Sequence, residues 1–430
     1  MSMTVGEAFD RYLGPGTGLR IEAYDGSTGG DPDGQVVRIH SAKALNYLFT
    51  ASRSVGLMRA YLADEISFDG MDEGNPYREL SLYLGGLSVR RPQLRELPDL
   101  ARFVRETGLH VPEIPPQEAP APWRRIAYGL RHGRARDAKA IQHHYDVSNK
   151  FYEMVLGPSM AYTCAVYPDD EATLEEAQSY KFDLVCRKLG LQPGMRLLDV
   201  GCGWGGMVRH AVTHYGVTAL GVTLSRNQAT WGQEMLAREG LTDRAEIRHS
   251  DYRHVTERGF DAVSSIGLTE HVGVRNYPAY FRFLRDRLRD QGRLLNHCIT
   301  RPDNKRNGPL KDQFTNRFTF PDGELSGSGH IVRVMEDTGL EVRHQENLRE
   351  HYARTTGAWS QNLSDNWEAC IAQAGLGTAR VWGAYLAGSR VNFELNNIQL
   401  HQVLAVRTSA SGDSGFELRP TWETEAAVRD

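Results

Sequence analysis

The chain has 430 residues, 40% of them hydrophobic and 24% charged, with a formal net charge of -4. That length allows a sizeable core and two domains, in a composition ordinary for a globular protein. The small negative charge excludes a global attraction to nucleic acid or anionic lipid, so either would need a local basic patch.

Cys164, Cys186, Cys202, Cys298 and Cys370 are scattered, without CxxC or Cys/His spacing. This argues against a disulfide framework or a zinc site and for a reducing cytoplasm. The start, MSMTVGEAFDRYLG, lacks the basic and apolar regions of a signal peptide. No apolar run reaches bilayer-spanning length, so a membrane would be met from its surface.

Residues 17–40 read as short strands around the turn-rich GSTGGDPDG (26–34), ending in the alternating QVVRIH. From Ser41, Ala44, Leu45, Leu48 and Phe49 recur at helical spacing, and a second helix is expected near 55–63. GLMRAYLADEISFDG (56–70) reads as a return to extended chain, closing a small α+β domain over 1–110. The proline-rich VPEIPPQEAPAPW (111–123) cannot continue a helix and opens a linker over 111–140. Within it Arg124, Arg125, Arg131, Arg134, Arg136 and Lys139 are opposed by Asp137 alone, with Trp123, Ile126, Tyr128 and Leu130 interleaved. This pattern suits either a basic face for anionic lipid heads or a solvated helix face.

From Ala172 helix and strand alternate as a doubly wound sheet requires. A helix at 175–190 leads to strand RLLDV, a helix after Gly205 to strand 217–225, and a helix at 227–240 to strands near 245–253 and 260–267. A helix at 277–289 and a strand at 292–299 follow, so the ligand is expected at the carboxyl ends of the strands. The polar 301–325 stretch reads as a lid or substrate-contacting insertion. A helix (331–339), a strand (340–348), a long helical region (352–392) and a last strand (400–407) complete a domain over 141–407, leaving a polar tail at 408–430.

The stretch LLDVGCGWGG (197–206) places Asp199 at a strand tip before Gly201, Gly203 and Gly205, a turn that a nucleotide-like ligand can approach closely. The dinucleotide fingerprint wants a carboxylate about 20 residues on for the ribose. Here the second strand ends in Thr223 and Ser225, and Trp204 fills space at the helix start. S-adenosylmethionine fits better, with Asp251 and Tyr252 placed to flank an adenine.

Several ordered segments then carry a specific resemblance: HHYDVSNKFYEMVLGPSMAYTCAVY (143–167), LLDVGCGWGG, GVTLSRNQ (221–228), SDYR (250–253), SIGLTEHVG (265–273) and RVWGAYLAGSRVNFELNNIQLHQV (380–403). The sequence resembles the cyclopropane fatty acid synthase family, which includes the mycolic acid cyclopropane synthases. The resemblance implies a class I S-adenosylmethionine-dependent methyltransferase, α/β with a Rossmann-like doubly wound sheet, whose extra N-terminal domain would contact lipid or a partner. It implies methyl transfer to a cis double bond in an acyl chain of a membrane phospholipid, through a carbocation.

The base implied is a bound bicarbonate or carbonate ion, with no metal, held by Cys164, Glu270, His297 and Tyr352, the backbone of Ile299 nearby and His271 structural. For the cofactor, Gly201 and Gly203 would approach the methionine portion, Thr223, Leu224 and Gln228 the ribose, and Asp251 and Tyr252 the adenine. Tyr145, Ser148 and Asn149 would close over it, with Tyr162 and Thr163 near the sulfonium.

Thr269 stands where the family commonly has an aromatic residue, and with the 301–325 stretch this resembles the actinobacterial branch making 10-methylene, tuberculostearic-type chains from oleoyl lipid. Cyclopropane formation is the alternative, and a small-molecule methyltransferase or a non-catalytic lipid-binding relative the remoter ones. The implied partners are a phospholipid membrane surface, at its inner face in the cytoplasm, and an unsaturated acyl chain, without nucleic acid. A reductase partner and a homodimer stay open.

Overall fold

The computed structural model describes residues 3–13, 16–86, 90–108, 110–119, 148–309, 314–320 and 322–422. Tyr145 and the basic segment 124–139 lie outside them. The chain forms two compact units, each discontinuous in sequence: Met1–Arg125, Lys311–Pro321 and Leu363–Leu395, and Ile126–Leu310, Asp322–Asn362 and Asn396–Asp430. The units are therefore not the contiguous stretches 1–110 and 141–407.

The first unit holds α1 (Val5–Tyr12), β1 (Leu19–Ala23), β2 (Thr28–Gly30), β3 (Gln35–Ile39), α2 (Ala42–Thr50), α3 (Arg53–Leu62), β4 (Ile66–Phe68), α4 (Tyr77–Gly86) and α5 (Leu97–Glu106). Its sheet runs β2-β1-β3-β4, with β1 and β3 parallel. Alternate residues Leu19, Ile21, Val37 and Ile39 face the core, joined by Leu45 and Ile66. The expected extended stretch 56–70 is instead helical to Leu62, and only Ile66–Phe68 is strand. Ser41 caps α2 by accepting from Lys43 N at 3.0 Å.

Residues 363–395 join this unit because their polar side chains find partners in it. Arg380 donates to Asp64 Oδ1 at 2.7 Å and to Glu73 Oε1 at 3.0 Å, and Tyr77 donates to Glu394 Oε2 at 2.6 Å. Gly383 packs against the Glu73 carbonyl too closely for any Cβ.

The second unit begins with α6 (Asn149–Leu156) and α7 (Leu174–Leu189), then alternates β5 (Arg196–Val200), α8 (Gly206–Tyr215), β6 (Thr218–Thr223), α9 (Arg226–Arg238), β7 (Ala245–His249) and β8 (Phe260–Ile266). After the single turn α10 (Thr269–Val272) come α11 (Tyr277–Arg287), β9 (Leu288–Thr300), the two-residue strands β10 (Gly308–Pro309) and β11 (Glu324–Leu325), α12 (Ser328–Asp337) and β12 (Glu341–Asn347). The expected long helical region is three helices, α13 (Arg349–Asp365) and then α14 (Trp367–Ala374) and α15 (Leu376–Glu394), which belong to the first unit, before β13 (Gln399–Val406) returns to the second. Asn366 and Gly375, the latter at φ 80°, interrupt it.

The seven-stranded sheet has the order β12-β13-β9-β8-β5-β6-β7. Strands β9, β8, β5, β6 and β7 pair in parallel, while β13 runs antiparallel between β12 and β9. The chain leaves β5 toward β6 on one side and returns to β8 on the other. The carboxyl ends of β5 and β8 therefore flank the crevice where such a sheet binds its ligand.

Candidate active site

Val200 ends β5, and the next turns place Gly201, Gly203 and Gly205 at φ 80°, 56° and 88°. Two of these glycines serve different ends. A Cβ on Gly203 would meet nothing within 4 Å, leaving backbone open to a ligand, whereas one on Gly205 would collide with Ile247 Cδ1.

The turn borders a cavity of about 280 Å³. It is lined by Tyr162, Thr163, Gly201, Gly203, Thr223, Leu224, Gln228 and Tyr252, all expected to hold the cofactor, and also by Lys181, Asp199, Trp204, Leu268 and His271.

Asp251, Ser148 and Asn149 do not line this cavity. The Asp251 carboxylate accepts from Arg253 N at 2.9 Å and from its guanidinium Nη2 at 2.6 Å, holding the turn that presents Tyr252. Ser148 caps α6 by accepting from Phe151 N at 3.2 Å, and Asn149 Oδ1 accepts from Trp204 Nε1 at 2.9 Å. Asn149 thus steadies the glycine turn through its tryptophan. His271, expected to be structural, lines the cavity.

The wall carries two buried charges that sequence reasoning left without a role. Lys181 is fully buried and donates to Thr163 Oγ1 at 2.9 Å. Desolvation lowers its pKa to about 7, against the opposing pull of Cys164 and Asp199. Asp199 accepts from Ser264 Oγ at 2.7 Å, and burial raises it to about 6. Only their placement on a helix face (Lys181) and a strand tip (Asp199) marks them in the sequence, and neither pattern names a partner.

The four residues of the implied base site lie behind the lining, as two pairs. Cys164 Sγ is buried against Ala165 O at 3.1 Å and Leu348 O at 3.8 Å, and Leu348 O also accepts from Tyr352 N at 3.1 Å. Burial raises the Cys164 pKa, so the group is a thiol. On the other side Glu270 Oε1 accepts from Ile299 N at 2.7 Å, and His297 O accepts from Gly267 N at 2.8 Å. These bonds anchor the Glu270 carboxylate to the backbone of Ile299, and the His297 backbone to Gly267, near the end of β9. The Lys181 charge acts on both Cys164 and His297.

Two buried atoms in the second pair have no hydrogen-bond partner: Glu270 Oε2 and His297 Nε2. Burial raises Glu270 to about 7 and drives His297 well below its ordinary range, so the imidazole is neutral. Unsatisfied buried polar atoms are costly and point to an absent partner. A carboxyl poised near neutrality and a neutral imidazole, each with an unpartnered buried atom, are groups that suit an oxyanion accepting one proton, so these residues fit a carbonate ion.

Thr269 faces elsewhere. Its hydroxyl donates to Asn296 Oδ1 at 2.6 Å, and Asn296 Nδ2 donates to Cys298 Sγ at 3.3 Å. Alternation along β9 puts Asn296 and Cys298 on the face opposite His297.

Among the described residues, no helix is long and apolar enough to cross a membrane. A family model described as mycolic acid cyclopropane synthetase matches residues 132–403. The chain is 53% identical over 409 residues to the probable fatty acid methyltransferase Rv3720 of Mycobacterium tuberculosis, covering 94% of this chain and 95% of that one. It is similar in structure to the cyclopropane synthase MmaA2 from Mycobacterium tuberculosis, with a TM-score of 0.59 and 32% identity over 62% of this chain and 98% of that one. A mycolic acid cyclopropane synthase, CmaA1, complexed with SAH and CTAB, gives a TM-score of 0.59 and 33% identity over 63% of this chain and 98% of that one.

Proposed function

The chain belongs to the mycolic acid cyclopropane synthetase family and is an S-adenosylmethionine-dependent fatty acid methyltransferase; from that premise we propose that it methylates the cis double bond of an oleoyl chain in a membrane phospholipid. The product is a 10-methylene chain, the precursor of a tuberculostearic-type 10-methyl acid.

When bound, S-adenosylmethionine supplies an electrophilic methyl group and carbonate a base for the one proton released. The protein's part is to hold the alkene against the donor cavity, keep water out, and fix the hydrogen-bonding groups. An isolated alkene is a poor nucleophile, and methylation leaves an electron-deficient carbon that water would quench. Lys181 at about pKa 7 is largely uncharged above neutral pH and then imposes little repulsion on that carbon. His297 Nε2 and Glu270 Oε2, the unpartnered buried atoms, would hold the base together with Cys164 and Tyr352.

The pair of partnerless buried atoms, Glu270 Oε2 and His297 Nε2, carries this reading, because heteroatom methylation has no need of a sealed oxyanion site behind the donor cavity. The methylene outcome is supported by resemblance to the 10-methylene branch, and the fatty acid substrate by the identity with a probable fatty acid methyltransferase along nearly its whole length. A methylene chain is in turn chemically suited to a reductase.

We place the enzyme in the cytoplasm at the inner membrane face, engaged through residues 124–139. Charge reversal there is expected to weaken binding to anionic liposomes, and unchanged binding contradicts that contact.

The test of the product is to express the protein in a host fed oleate and analyse its lipids by mass spectrometry. Oleoyl chains are expected to gain one CH₂ and then to take up one equivalent of hydrogen on mild hydrogenation. A CH₂ gain that resists hydrogenation indicates a cyclopropane and overturns the methylene assignment. No gain from an active, cofactor-bound enzyme overturns the lipid reading.

A further inference from the structure

In the first unit two arginines converge on one carboxylate. Glu118, its side chain fully buried, accepts from Arg59 Nε at 2.6 Å and Nη2 at 2.9 Å, and is paired with Arg317 Nη2 as well. The arginine side chains are only 8% and 16% exposed. Among the described residues no second carboxylate pairs with either, so one positive charge is left over in a largely dehydrated place. Such a charge is costly unless a counter-ion meets it.

Arg59 and Arg317 line a cleft of about 330 Å³ together with Phe49, Ser52 and Val55. Ser52 is the N-cap residue of α3, yet it makes no capping bond, and its hydroxyl is buried without a partner. Arg317 Nε is buried without a partner too. The groups gathered here are thus donors: the Arg317 guanidinium with its unpartnered Nε, the part of the Arg59 guanidinium not held by Glu118, a hydroxyl, and the amide end of a ten-residue helix. Planar guanidinium forks match phosphate oxygens in pairs of bonds, so a multi-oxygen anion is the ligand class that satisfies the set. Phe49 is 43% exposed at the rim. Apolar surface beside a cationic cleft matches the level of a lipid headgroup, where phosphate meets hydrocarbon.

We infer that the cleft formed by Ser52, Arg59 and Arg317 binds a phosphate group, that of a phospholipid headgroup. The lipid source rests on the phospholipid substrate proposed above; the phosphate chemistry does not.

The test uses the full chain and three probes: inorganic phosphate, the soluble diester glycerophosphoglycerol, and dioleoylphosphatidylglycerol vesicles. Arg317→Gln leaves the Arg59–Glu118 pair intact, and Ser52→Ala leaves both arginines. Circular dichroism and S-adenosylhomocysteine binding check that each variant is folded. Calorimetry is expected to show one saturable site for the diester in the wild type, weakened about tenfold by Arg317→Gln, the scale of one lost charge-assisted contact, and less by Ser52→Ala. Vesicle binding is expected to fall in the same order.

Absence of saturable phosphate or diester binding, or equal binding in wild type and both variants, overturns the site. Binding of the soluble probes with vesicle binding untouched by Arg317→Gln supports a phosphate site and overturns its lipid source. None of these readouts needs methyl transfer, so failure of the acyl-chain chemistry is recognised separately.

Discussion

Gln402 Nε2 lies 3.3 Å from His297 Nδ1, and the direction of that amide is set from its other end, where Lys188 Nζ stands 2.7 Å from Gln402 Oε1. A lysine ammonium can only donate, so Oε1 faces Lys188 and the amide N–H faces the ring. Nδ1 then accepts, and the neutral imidazole carries its proton on Nε2, the buried atom with no partner. Lys188, itself paired with Glu346, therefore fixes through Gln402 which nitrogen of His297 is a donor. A preorganised donor in a site closed to water is worth more than the same bond in solvent.

Gln402→Glu tests this relay with an isosteric change. A carboxylate accepts from Nδ1–H, moves the proton there and leaves Nε2 without one. Turnover is expected to fall on the order of 100-fold or more, as when a catalytic histidine is held in the wrong tautomer, with S-adenosylhomocysteine binding retained. Nitrogen NMR of His297 should show the tautomer exchanged; wild-type turnover with the exchanged tautomer contradicts the relay.

Glu270→Gln keeps an acceptor for Ile299 N–H but cannot take or share a proton. Cofactor affinity is expected to stay, while turnover falls by roughly 10²- to 10⁴-fold, the span usual for proton-transfer groups. Unchanged turnover removes Glu270 from the proposed base site.

The pH profile follows from two buried groups. Glu270, raised from 4.5 to about 7, ionises as pH passes neutrality, and Lys181, lowered from 10.5 to about 7, discharges there. Both changes favour the reaction, so turnover is expected to rise through pH 7 and level off above it. Lys181→Met should keep part of this rise and Glu270→Gln should flatten the remainder of it; a flat wild-type profile refutes both assignments. Stability has opposite signs. The folded state holds the extra Glu270 proton between pH 4.5 and 7, so its contribution is present below 4.5 and lost as pH rises through 7. The Lys181 contribution is present above 10.5 and lost as pH falls through 7.

Thr269→Val removes the donor that satisfies Asn296 Oδ1 and leaves a buried acceptor unpaired. A loss of about 1–3 kcal/mol is expected, read from the urea midpoint, with the lipid product unchanged because the hydroxyl sits on the face of β9 away from His297. A changed product without a loss of stability contradicts that placement.

The alternation of helix and strand from Leu174 to Thr300 was legible because each strand is a short apolar run closed by glycine or a polar turn, as in RLLDVG and FDAVSSIG. The cavity lies beside the same turns, since Gly201, Gly203, Thr223 and Leu224 line it. The assembly of the first unit was not: residues 363–395 join it through Arg380, Gly383 and Glu394, contacts that span some 300 positions and leave no local pattern. Nor does sequence spacing reveal that Lys188 reaches His297 through Gln402, since the three lie on α7, β9 and β13. Asp251 shows the converse. Its position suggested a ligand contact, but its carboxylate is held by Arg253.

The most direct measurement incubates the purified chain with dioleoyl phospholipid vesicles and S-adenosylmethionine bearing a trideuterated methyl group, then weighs the acyl chains by mass spectrometry. Removal of one proton from the transferred methyl predicts a modified chain that has gained one carbon and kept two deuterium atoms. Three deuterium atoms retained on the chain, or label found only in the headgroup, would contradict it.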